Sequence, residues 1–122
     1  MSSSQTHQPH VCRDESEQWR ACLQSVFQLG RADKAAQKMD ATCVEQRTAF
    51  DVCAANWRKE VGNAVKLRGD HPGEAPAQCR QMACVYESCM SNTGYDNAKC
   101  TGALQQFKHC VKALHGSEYV LD

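Results

Sequence analysis

Nine cysteines stand at positions 12, 22, 43, 53, 79, 84, 89, 100 and 110 of a 122-residue chain. Cysteines in such number ligate metal, exchange electrons as a close thiol pair, or cross-link a fold. Their spacing separates these roles. Eight fall into four pairs with nine residues between members: Cys12/Cys22, Cys43/Cys53, Cys79/Cys89 and Cys100/Cys110. Each pair carries an aromatic residue three positions before its second cysteine: Trp19, Phe50, Tyr86 and Phe107. Zinc sites typically bring two cysteines within about two to four residues, and copper-carrying or redox-active thiols also sit close together. Neither a Cys-x-x-Cys nor a Cys-Cys sequence occurs. The expectation is therefore no metal, no cofactor and no thiol oxidoreductase, which leaves structural disulfides.

A helix is the element that puts this repeat on one face. At 3.6 residues per turn, the aromatic at offset seven lies about 20° behind the first cysteine, and the second cysteine about 80° behind it. The stripe extends through Cys12, Trp19, Cys22, Val26 and Leu29 in the first copy, and through Met39, Cys43, Phe50, Cys53, Trp57 and Val61 in the second. Fifteen alanines and no isoleucine favour helix over strand. The pattern predicts an all-α protein without sheet. Its first helix covers 13–28 and stops at Gly30; the second is capped by Asp33 and reaches Leu67, with Gly62-Asn63 as its point of interruption if it breaks earlier; the third covers 77–91; the fourth is capped by Asp96 and ends at Leu114. The organisation expected is a polar N-terminal tail at 1–11, a first hairpin at 12–68, a Gly/Pro linker at 69–76, a second hairpin at 77–114, and a C-terminal tail at 115–122.

Geometry then selects the partners. Ten residues of helix span about 15 Å, far beyond the roughly 4.4–6.8 Å between Cα atoms that a disulfide allows, so no bond forms within a pair. Short connections make neighbouring helices antiparallel. Cys22 and Cys43 are then equidistant from the first turn, as are Cys12 and Cys53; Cys89/Cys100 and Cys79/Cys110 are symmetric about Gly94-Tyr95. The expected bridges are Cys12–Cys53, Cys22–Cys43, Cys79–Cys110 and Cys89–Cys100. Trp19 with Phe50, and Tyr86 with Phe107, fill the seam between rungs. Leu, Ile, Val and Phe together make only 18 of the 122 residues, so the core is thin and covalent staples have much to supply, roughly 2–4 kcal/mol each.

These residues resemble the twin C-x9-C, or coiled-coil-helix-coiled-coil-helix, family of mitochondrial intermembrane-space proteins. The likeness covers about residues 12–53 and 79–110, and the tandem layout is similar to the double twin C-x9-C accessory subunits of respiratory complex I. The resemblance implies import without a cleaved presequence, trapping by a disulfide relay, and docking on the relay receptor through apolar faces such as Phe50 with Cys53 and Phe107 with Cys110. It further implies a non-catalytic role beside other subunits of an inner-membrane complex, peripheral to the membrane and held there by protein partners. A mitochondrial ribosomal protein and a soluble assembly chaperone are the alternatives it leaves.

Fourteen basic residues balance fourteen acidic ones, which removes the broad positive field that draws proteins to nucleic acid. No apolar run approaches a transmembrane length, and Met1–His10 has neither a signal-peptide core nor the arginines of a transit peptide. Cys84, about 140° round the helix from Cys79, is expected as a free thiol packed like a small apolar residue against a partner or the first hairpin, with an intermolecular disulfide or a sensor thiol as the alternative. His7 and His10 belong to the polar tail; His109 flanks helix four with no acid or nucleophile evident beside it. Arg58, Lys59, Lys66 and Arg68 complement the far end of helix two, with anionic lipid or ribosomal RNA as their functional alternative.

Overall fold

A computed structural model describes residues 4–6, 8–28, 42–62, 65–69, 74–92 and 94–115. In chain order these form β1 (Ser4–Thr6), α1 (Arg13–Gln28), α2 (Val44–Val61), β2 (Val65–Leu67), α3 (Ala77–Asn92) and α4 (Thr101–His115), the last entered through a 3-10 turn at Asn97–Cys100. Gly30, Asp33, Leu29, Met39, His7, residues 70–73 of the linker and 116–122 of the C-terminal tail lie outside the described residues.

Each helix starts and stops for a local reason. The Cys12 carbonyl accepts from Ser16 N at 3.0 Å and the Cys43 carbonyl from Arg47 N at 2.9 Å, opening α1 and α2. At α3 the Pro76 carbonyl accepts from Cys79 N at 2.8 Å and Arg80 N at 3.1 Å. A proline there loses no helical donor, because the first N–H groups of a helix are unpaired anyway. The chain leaves α3 through two left-handed residues, Gly94 at φ 68° and Tyr95 at φ 66°, with Tyr95 N–H donating to Met90 O at 2.6 Å. Asp96 then accepts from Ala98 N at 3.1 Å and caps the 3-10 turn rather than the helix itself.

Of the two ends open to helix two, the earlier, at Gly62, is the one taken. The helix stops at Val61, not Leu67, because Gly62 adopts φ 72° while its N–H still reaches Arg58 O at 2.8 Å. Glycine takes that left-handed conformation without the Cβ clash that other residues suffer. Val65–Leu67 is extended and pairs in parallel with Ser4–Thr6, in the register Ser4↔Val65, Gln5↔Lys66 and Thr6↔Leu67. Part of the stretch expected as a polar tail is thus tied down, since extended backbone seeks its hydrogen-bond partners in another strand. Six residues of strand leave the architecture all-α: two antiparallel helical hairpins, each locked by disulfides.

The hairpins stack. α1 packs on α2 and α3, and α4 packs on α3 and α2, closing a four-helix square. Its centre holds the fully buried Trp19, Leu23, Phe50, Met82, Val111 and Leu114. Between hairpins the chain turns at the buried Gly69, whose N–H donates to Glu74 O at 3.3 Å. A Cβ at this position would sit 2.5 Å from Ala75 O, so only glycine permits the approach.

Candidate functional site

The chemistry-bearing residues form a ladder and a seam. The ladder is the four bridges Cys12–Cys53, Cys22–Cys43, Cys79–Cys110 and Cys89–Cys100, with Cα separations of 5.8, 6.0, 5.6 and 5.8 Å. These are the partners that symmetric register selects, two rungs per hairpin and none within a nine-residue pair. Four such bridges between paired helices fit the twin C-x9-C pattern.

The seam lies between hairpins and centres on Trp19. Its ring packs against Phe50 with centroids 5.0 Å apart, and edge-on to His109 at 5.8 Å. Its indole N–H donates to Gln106 Oε1 at 3.0 Å, and Gln106 Nε2 in turn donates to the Thr42 carbonyl at 3.4 Å. Both bonds are buried, so each polar group replaces a water partner that would be costly to lose. One glutamine on α4 therefore connects α1 with the start of α2. Gln78 makes a second tie, its amide donating to Gln8 O at 2.8 Å and Val11 O at 2.6 Å ahead of α1. The expected pairing of Trp19 with Phe50 is present. Tyr86 and Phe107 are only half-buried, and the Tyr86 hydroxyl is engaged at 3.1 Å with Asn97 Oδ1.

Several surface groups sit differently from expectation. His109 does have an acid beside it: its Nε2 lies 2.6 Å from Asp51 Oδ1 of α2. Asp51 is 58 positions away in sequence, which is why no local pattern revealed it. The two line an open groove of about 280 Å³ with Ala54, Ala55, Lys112 and Ala113. The contact joins α4 of the second hairpin to α2 of the first. Cys84 is the free thiol expected, and in this chain it is exposed rather than packed on the first hairpin. The buried stripe of α3 runs through Cys79, Met82, Val85 and Cys89, and a five-residue step from Cys79 turns away from it. Cys84 lines a groove of about 270 Å³ that also touches Arg20 and Gln24 of α1.

The basic cluster is divided by the early end of α2. Arg58 and Lys59 occupy its last turn, whereas Lys66 and Arg68 lie beyond it in β2 and the following loop. Arg58 donates to the Leu114 carbonyl near the C-terminus of α4 and lies 5.4 Å from the Trp57 ring centroid. A guanidinium at the carbonyl end of a helix complements its dipole. Arg68 donates to Gly69 O at 3.2 Å.

Among the described residues no group of three or more His, Cys, Asp or Glu could hold a metal ion, and no helix is long and apolar enough to cross a membrane. The chain matches no protein-family model, and neither a curated protein nor a solved structure matches it.

Proposed function

We propose that this chain is a non-catalytic structural accessory subunit of a mitochondrial inner-membrane respiratory complex, on the intermembrane-space side, with complex I (NADH:ubiquinone oxidoreductase) as the assembly. The observation that supports this reading most is the double locking of the molecule. Each hairpin carries a bridge toward either end, and the hairpins are joined through buried Trp19, Gln106 and Thr42. Such a body keeps its shape without a large core and leaves its outer faces to neighbours. In this proposal its partners are adjoining subunits, and during import the receptor of the disulfide relay; the membrane is reached only through those proteins.

Native gel separation of detergent-solubilised mitochondrial membranes tests the assembly. Comigration with NADH dehydrogenase activity is the expected result. Cosedimentation with ribosomal subunits would replace the proposal with a ribosomal role, and a purely soluble monomer would replace it with an assembly chaperone. The route is tested separately. Cys53→Ser removes the partner of Cys12 and should lower mitochondrial accumulation several-fold; unchanged accumulation would contradict oxidative trapping.

A further inference from the structure

The four bridges differ in what shields them. Cys79, Cys89, Cys100 and Cys110 are all fully buried. Cys12 is 6% exposed and bonded to a half-buried Cys53. Cys22 and Cys43 are both half-buried, the one bridge with neither sulfur-bearing residue in the core. The backbone adds a second difference. Cys12 and Cys43 each stand at φ 52°, left-handed, immediately before α1 and α2, whereas no cysteine of the second hairpin has a positive φ. An L-residue with a Cβ is strained there, and the strain persists only while its surroundings impose it. At Cys43 both features coincide.

We propose that Cys22–Cys43 is a thiol–disulfide exchange site, the one bridge that an external dithiol opens in the folded protein. A thiolate of the dithiol attacks one sulfur of the bridge; the S–S bond breaks, a mixed disulfide forms, and the other cysteine leaves as a thiolate that takes up a proton. The second thiol of the reagent then attacks the mixed disulfide, closes the reagent's own disulfide and releases the remaining cysteine. Two electrons pass from reagent to bridge. Buried sulfurs cannot be approached this way without unfolding, because the attacking thiolate must reach them.

Opening this bridge is felt at the seam. Thr42, next to Cys43, offers the carbonyl that accepts from Arg47 Nη1 at 3.1 Å and from Gln106 Nε2 at 3.4 Å. The same Gln106 holds the Trp19 indole. Reduction therefore loosens the inter-hairpin connection at Thr42, while Cys12–Cys53 still closes the far end of the first hairpin. This chemistry does not rest on the assembly proposed above.

The test uses the oxidised full-length protein with Cys84 alkylated beforehand, so that no internal thiol competes. Dithiothreitol is added under native conditions, released thiols are trapped with iodoacetamide at intervals, and each cysteine is quantified by peptide mass spectrometry. Cys22 and Cys43 should be labelled at least about tenfold faster than any cysteine of the second hairpin, with Cys12 and Cys53 intermediate and helical circular dichroism retained. Equal labelling of all eight, earlier labelling of the second hairpin, or labelling of Cys53 ahead of Cys43 would overturn the proposal. In the double variant Cys22→Ser/Cys43→Ser the fast phase should vanish; its persistence would also overturn it.

Discussion

The two hairpins are built from one repeat and bury opposite parts of it. In the first, Trp19 and Phe50 are fully buried while Cys22, Cys43 and Cys53 remain half-exposed. In the second, all four bridged cysteines are fully buried while Tyr86 and Phe107 remain half-exposed. The repeat places aromatic and second cysteine about 60° apart on the helix. That angle alone does not sort them, since Cys12, Cys79 and Cys100, each about 20° from its aromatic, are buried as well. The first presents its aromatic rung to the shared core and the second presents its sulfur rungs. Spacing determines how a hairpin closes upon itself; docking determines which flank of the closed hairpin is hidden.

The contrast can be broken most forcefully at its aromatic members. Trp19→Ala removes a fully buried ring together with its hydrogen bond to Gln106 Oε1, so it should cost about 3–5 kcal/mol. Phe107→Ala empties only a half-buried site and should cost about 1–2 kcal/mol. Denaturant unfolding of the oxidised variants checks both, and equal losses would mean that the halves are equivalent. Next in size is Gln106→Ala, which leaves the Trp19 indole N–H buried without a partner and should cost about 1–3 kcal/mol. Its loss should be strongly non-additive with that of Trp19→Ala in a double-mutant cycle. The smallest effect has the opposite sign. Tyr95 is 74% exposed at φ 66°, so Tyr95→Gly relieves the left-handed backbone at little loss of burial. It should raise stability by up to about 1 kcal/mol, read as a higher melting temperature.

Much of the hairpin level was legible in the chain. Four equal Cys spacings with a fixed aromatic define helix faces, and register symmetry then picks the partners, because both depend on local periodicity alone. The docking level was not legible. Gln106 meets Trp19 across 87 positions, Gln78 meets Val11 across 67, and His109 meets Asp51 across 58. Polar side chains at such separations carry no periodic signal, although Gln106, four residues before Cys110, does fall on the buried stripe of α4. The choice between the two ends open to helix two has a different cause. Lys66 and Arg68 suit a helix C-terminus by charge, but Gly62 ended the helix first through its backbone freedom. Cys84 is legible as the free thiol off the disulfide face, and within this chain the angle that takes it off that face leaves it exposed.

The hairpins form one body through a seam closed on Trp19. Hydrogen exchange at the Trp19 indole N–H, followed by NMR in the oxidised intact protein, tests it most directly. With Trp19 closed in the seam, that hydrogen exchanges orders of magnitude more slowly than a free indole, and Gln106→Ala strips most of the protection. An indole exchanging at the free rate in the intact protein would mean that the hairpins do not close on each other.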